Sequence, residues 1–555
     1  MSSRTRSNLG RPISTYILDY SGNKFLARNI TKSSYSLNHI KNIVIPQLEE
    51  AIELSDDICS IFLEVLCLVY YPNELNALNN TTLLSSCIRT LRKFVAENQN
   101  SRNFKLFSHE TGFLCFQTIV LLVQIGILAH TNNLDRFRLM FHPLVSQPEE
   151  MLISLAELGI VLMERSEHEP NARRSFLGPF ISQTGQRTFL KSVGGFTDSD
   201  AEFLLKLLWQ DRKRFSELCV RVQSPGWALL LLVIGAHMQW KSESAYIPYG
   251  QWMPLETLCF RYSLHSSASE ADAIGVFCEE TVQDRPDHDE EPDDECYEKS
   301  LVDAEDARGF LLAFIDRTDL FQPLPVSLGR LVLRFFRQEL IIESANLIAV
   351  VIGNTCSHIW TLLETTAGDS EHLSTNVGFN QYATQLFGLI DRFCSAHATS
   401  PDMMSTIARI LSKKDFVNLF GRLVLLSLSV GSPLGRLSQT SPSSFSHLDR
   451  KQPPYNIARS WFDLAFEAVE FMHSCGQTGN QFQVAFDSSF PDWMKLRRCL
   501  DANFPQHQAA VGSKAFEKHV QGTRATLLKM AHPFGYSEPV RVKIRTGTTW
   551  TNLIA

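Results

Sequence analysis

At 555 residues and 62.8 kDa the chain is too long for one compact core, which points to roughly three or four units or one elongated array. With 44% hydrophobic and 20% charged residues it can bury a core along most of its length, which excludes a disordered protein. The formal net charge of −7 hides a strong asymmetry: sixteen acids face two bases between residues 270 and 306, whereas ten bases face three acids from Trp493 to the end.

Residues 1–36 read as a basic, serine-rich, partly disordered arm. From Met1 to Leu48 there are seven bases and one acid, Asp19. This composition also fits mitochondrial targeting, but Gly10 and Pro12 break the start and no amphipathic helix is visible, so a frayed arm is the expectation. There is no continuous apolar run of the kind a secretory signal needs.

A first helical block is expected over 37–269. Its most apolar stretch, FLCFQTIVLLVQIGILA from Phe113 to Ala129, carries Gln117, Thr118 and Gln124 and falls short of the about 20 residues of a membrane span. It therefore predicts a buried core helix, and the shorter WALLLLVIGA at 227–236 predicts the same; no membrane span is expected. Helix starts follow from capping chemistry. In SQPEEMLISL, Ser146 precedes Pro148 and Glu149, where a missing N–H and a negative charge both help. In TDSDAEFLLKLLWQDRKRFSELCVRV, Ser199 precedes Glu202 by three residues, and Phe203, Leu207, Phe215, Leu218 and Val222 form one apolar face. The stretch AYIPYGQWMP interleaves Tyr246, Tyr249 and Trp252 with Pro248, Gly250 and Pro254, which predicts extended backbone. Such segments pack loops onto cores by their rings, and they also line grooves that recognise peptides, so these three aromatics are candidate interaction residues.

Residues 270–306 read as an acidic region with a flexible loop. At its centre DHDEEPDDE supplies seven candidate interaction residues: Asp287, Asp289, Glu290, Glu291, Asp293, Asp294 and Glu295. Taking Asp287 as the first position of a calcium loop aligns oxygen ligands well, but Pro292 stands where the turn requires glycine and Asp294 where an apolar residue packs. The run is therefore read as a solvated electrostatic element and not as a metal site.

A second helical block is expected over 307–430, with helix starts at Ser400–Pro401–Asp402 and at Ser412 with Asp415. Residues 431–456, with six serines and four prolines, read as an exposed linker. Residues 457–555 read as a C-terminal helical unit with a basic tail, marked by a stripe of Ile457, Trp461, Leu464, Ala468 and Met472. Val540–Arg545 alternates apolar and basic residues as the one clear strand signal.

Together these signals predict an all-α, multi-helical array with little or no β structure: an armadillo/HEAT-like α-solenoid or successive helical bundles. No catalytic motif with a phosphate cradle, dinucleotide turn, zinc-protease pair or nucleophile elbow is present. The sixteen histidines are scattered singly, and the twelve cysteines show no CxxC spacing, as befits free thiols in a reducing, intracellular setting, cytoplasmic or nuclear. No metal and no cofactor is expected. The function expected is that of a non-catalytic scaffold or adaptor binding another protein. The alternatives are an enzyme with a pocket between helices and a nucleic-acid-associated protein using the basic tail. Nucleic acid is the weaker partner because Phe516, Phe534 and Trp550 form no stacking pattern.

Overall fold

The computed structural model describes residues 10–20, 46, 58–80, 82–98, 105–140, 148–164, 195–222, 225–244, 249–283, 301–319, 324–334, 336, 338–365 and 377–429. The carboxylates from Asp287 to Glu295, Tyr246, the linker at 431–456 and the whole of 457–555 lie outside the described residues. Among the described residues there are eighteen α-helices, three short 3-10 helices and no strand, so the chain is all-α as expected. They fall into two compact units, Met1–Asp306 and Ala307–Ala555.

The first unit contains α1 (Ile13–Tyr20), α2 (Ile58–Cys67), α3 (Leu83–Asn98), α4 (Glu110–His130), α5 (Leu134–Met140) and α6 (Pro148–Glu164). It continues with α7 (Asp198–Gln210), α8 (Arg212–Val222), α9 (Trp227–Ser244), α10 (Tyr249–Ser263) and α11 (Ala268–Gln283). The apolar run read from sequence lies in α4, which is apolar all round and therefore has to be surrounded. Helices α2, α3, α6 and α9 pack on its sides, and 94% of its most apolar window is buried inside the protein. A hydrogen bond and an ion pair join α7 to α9. Asp198 meets His237, and one turn further along both helices Glu202 meets Lys241. The rungs advance together, so α7 and α9 run in the same direction, and the chain passes from one to the other through α8.

Local chemistry moves three of the expected boundaries. The cap of α7 is Thr197 and not Ser199: Thr197 accepts from the Asp200 N–H while Asp200 accepts from the Thr197 N–H, a complete capping box. Ser199 instead accepts from Arg92 of α3, whose guanidinium lies over the Phe203 ring, so Phe203 is covered by a cation and the buried face is Ala201, Leu204, Leu207 and Leu208. The expected continuous stripe to Val222 is divided at Asp211, where α7 ends and α8 begins. The backbone from Tyr249 is helical, not extended. Pro254 sits within the first two turns, where its missing N–H forfeits one bond, and burial of Trp252, Met253 and Leu255 offsets that loss.

The acid-rich stretch is helical at both described ends. Glu270 is buried in α11, and α12 (Ala304–Asp319) starts at Ala304, with the first unit ending inside it at Asp306.

The second unit continues with α13 (Val326–Arg334), α14 (Gln338–Glu343), α15 (Ala345–Thr365), α16 (Val377–Ala396), α17 (Pro401–Lys413) and α18 (Phe416–Ser429). Helices α15 and α16 pack together and carry the rest: α13 and α14 lie on α16, and α17 and α18 on α15. Pro401 opens α17 as expected, with Ser400 at the cap position but without a side-chain cap bond. Ser412 does not open α18, because α17 runs through it. The start is Asp415, left-handed at φ +52°, whose carboxylate accepts from Asn418 in the first turn. Among the described residues two helices, α4 and α15, are long and apolar enough to cross a membrane, and the most apolar windows of both are mostly buried within the protein.

Candidate functional site

Among the described residues, a dense group of polar contacts lies where the N-terminal segment meets the start of α4. Glu110 sits in the first turn of that helix, where the exposed N–H groups favour a negative charge. Arg11 donates to it three times, from its backbone N at 3.2 Å, from Nε at 2.8 Å and from Nη2 at 2.6 Å, and the Tyr20 hydroxyl donates as well. Burial opposes ionisation of Glu110, but the bonds from Arg11 and Tyr20 win and hold its carboxyl below the usual range. An antiparallel bridge joins Pro12 to His109, so residues 10–20 lie across the α4 N-terminus as a strap.

The strap has a second attachment. Tyr16 donates from its hydroxyl to the Phe107 carbonyl, while the N–H of the same residue donates to Asp211 Oδ2 at 2.6 Å. Phe107 is thus pinned through both its backbone polar groups. Asp211 is only 2% exposed, and its Oδ1 is buried with no hydrogen-bond partner. Burial dominates, opposed by the Phe107 N–H, and pushes this carboxyl up to about 7. Rings enclose the region: Phe107 lies parallel to Trp227 at 6.3 Å, and Phe116 and Phe215 pack against Trp227.

Two further buried acids, Glu270 and Asp306, lie in the same unit. Glu270 accepts from the Gly226 N–H at 2.7 Å and the Tyr262 hydroxyl at 2.8 Å, and burial pushes its carboxyl up. Gly226 is left-handed at φ +92°, which lets its N–H point at Glu270. Arg261 grips Asp306 with two bonds of 2.7 Å, both side chains almost wholly buried, and also donates to Ser216. Outside this pair Lys213 meets Asp303 at 2.8 Å and Glu305 at 2.7 Å.

His237 and His358 each pair with a side chain of a neighbouring helix. His237 Nδ1 lies 2.7 Å from Asp198 Oδ1, with Phe196 against its ring, and burial lowers its pKa. In the second unit His358 Nδ1 lies 3.1 Å from the Tyr382 hydroxyl, and burial lowers its pKa to about 4. Both stay neutral near pH 7, and each joins two packed helices. Among the described residues no three His, Cys, Asp or Glu side chains are grouped to hold a metal. The described cysteines are free thiols, and those with resolved shifts are raised by burial, away from the reactive thiolate.

Of the residues singled out by sequence, Trp252 is buried within α10 and Tyr249 is that helix's first residue, while Tyr246 and all seven carboxylates of 287–295 lie outside the described residues. The groups the structure brings together, Arg11 with Glu110, Asp211 with Phe107 and Arg261 with Asp306, carry no local signature, since their partners are 45 to 104 residues away. No protein-family model matches the sequence, and no curated protein matches it.

Proposed function

We propose that the chain is a non-catalytic helical scaffold that binds another protein, built as an armadillo/HEAT-like array of stacked helices or as successive bundles. The main support is how the first unit uses its buried ionisable groups. Glu110, Asp211, Glu270, Arg261 and Asp306 each tie one element of the fold to another, through backbone N–H groups or through opposite charge. A catalytic reading needs such groups converging on an open pocket with a nucleophile or base facing substrate. Helices α7 and α9, which pack directly on each other and run in the same direction, are the arrangement that stacked helical hairpins produce.

A scaffold also needs surface to offer. Leu139 is 89% exposed at the end of α5, beside exposed Met140, and the carboxylates of 287–295 supply strong negative charge. The test is affinity capture with mass spectrometry, comparing wild type, the double variant Leu139→Asp/Met140→Asp, and a deletion of 284–298. The reading expects a protein retained by wild type and lost or made less salt-dependent in one variant. Identical retention by all three, with salt slopes unchanged, counts against both surfaces.

A further inference from the structure

We infer that α1 is a releasable strap whose seating on the first unit is coupled to the charge on Asp211. The geometry places the two in one chain of bonds. Tyr16 of α1 holds the Phe107 carbonyl, Asp211 holds the Phe107 N–H, and α1 packs directly on α8, which begins at the residue after Asp211. Asp211 has a buried Oδ1 with no partner. A charge there lacks the hydrogen bonds that normally compensate burial. Lifting α1 admits water to that oxygen, so the ionised carboxylate favours the lifted state and the neutral carboxyl favours the seated one.

The neighbouring charges leave Asp211 as the group that titrates near neutrality. It is faced by Tyr16 from α1, by Lys105 from the segment before the Phe107 turn, and by Arg214 and Glu217 from α8. Of the groups with resolved shifts, Tyr16 and Tyr20 are raised by burial and stay protonated, and Arg11 is raised by its bond to Glu110 and stays charged. Glu110 and His109 are both lowered, so near pH 7 the first is an anion and the second is neutral. Arg11, Glu110 and Tyr20 therefore form a latch of constant strength, and Asp211 sets the pH dependence.

The experiment is amide hydrogen exchange on the full chain from pH 5.5 to 8.5, corrected for the intrinsic exchange rate, with α1 compared with α9 of the same unit. In wild type, protection of the α1 amides should fall by about tenfold or more as pH rises through 7, with α9 much less affected. Asp211→Asn keeps an acceptor for the Phe107 N–H and cannot ionise, so its α1 protection should be high and flat. Tyr16→Phe should lower α1 protection at every pH and keep the slope. A flat wild-type profile overturns the inference even if the Asn variant fails to fold. So does a slope that persists in Asp211→Asn, or a fall of equal size in α9, which would mark loss of the whole unit and not release of the strap.

Discussion

Arg11 and Glu110, ninety-nine positions apart, are joined by three hydrogen bonds that fasten the N-terminal segment to the first turn of the central helix of the first unit. Hydrogen bonds to charged groups contribute about 1.5–3 kcal/mol each when one partner is removed, so Arg11→Ala and Glu110→Gln should each destabilise the strap by about 2 kcal/mol. Arg11→Lys should lose much of this, because an ammonium cannot reproduce the two-pronged grip. The pH dependence has a definite sign. The folded carboxyl of Glu110 lies below its unfolded value, so its contribution is present above the ordinary carboxylate range of about 4.3 and is lost as pH falls through the folded value. Amide exchange in α1 should show this acid loss in wild type and not in Glu110→Gln.

The Arg261–Asp306 pair predicts an asymmetry between single and double variants. Both side chains are buried, so removing one partner strands the other charge and should cost about 3–5 kcal/mol. Arg261→Met should therefore unfold the first unit at much lower urea. The double variant Arg261→Met/Asp306→Leu should recover a large part of the loss, incompletely, because Asp306 also accepts from the Val302 N–H. A double variant no more stable than the worse single would contradict the desolvation argument.

Glycine substitutions separate close packing from helix propensity. A Cβ at Gly112 would lie 2.0 Å from the Leu106 carbonyl oxygen, where backbone leaves no room, so Gly112→Ala should destabilise by about 1–3 kcal/mol despite the gain in propensity. A Cβ at Gly309, in the middle of α12, would meet nothing within 4 Å. There Gly309→Ala should stabilise by up to about 1 kcal/mol. Thermal unfolding of the two variants side by side should show shifts of opposite sign.

How far the fold was legible in the sequence depended on whether the signal was local. The run from Phe113 to Ala129 announces a surrounded helix because no polar face interrupts it, and Pro148 and Pro401 mark helix starts through the donor they lack. Local spacing does not separate Thr197 from Ser199, because both stand three residues before an acid, and the distinction lies in Arg92 of another helix, which takes the Ser199 hydroxyl. The break at Asp211 was hidden because apolar spacing carries on across it. Pro248, Gly250 and Pro254 suggested extended backbone, but burial of Trp252, Met253 and Leu255 overrode that local preference. The polar clusters were invisible for a related reason: their members meet only after the chain has folded.

In the second unit His358 predicts a loss of stability in mild acid. Its ring is buried between α15 and α16, where Nδ1 meets the Tyr382 hydroxyl, and burial depresses its pKa to about 4 from an ordinary value near 6.5. The unfolded chain therefore binds this proton at a higher pH than the folded one. Stability is complete above about pH 6.5, declines as pH falls towards 4, and levels off below that, where both states are protonated. A depression of this size corresponds to a loss on the order of 3 kcal/mol. His358→Gln keeps a polar partner for Tyr382 without the titration, so amide exchange in α15 and α16, corrected for the intrinsic exchange rate, should accelerate between pH 7 and 5 in wild type and hold steady in the variant. Equal acceleration in both proteins would assign the acid sensitivity of this unit to another group.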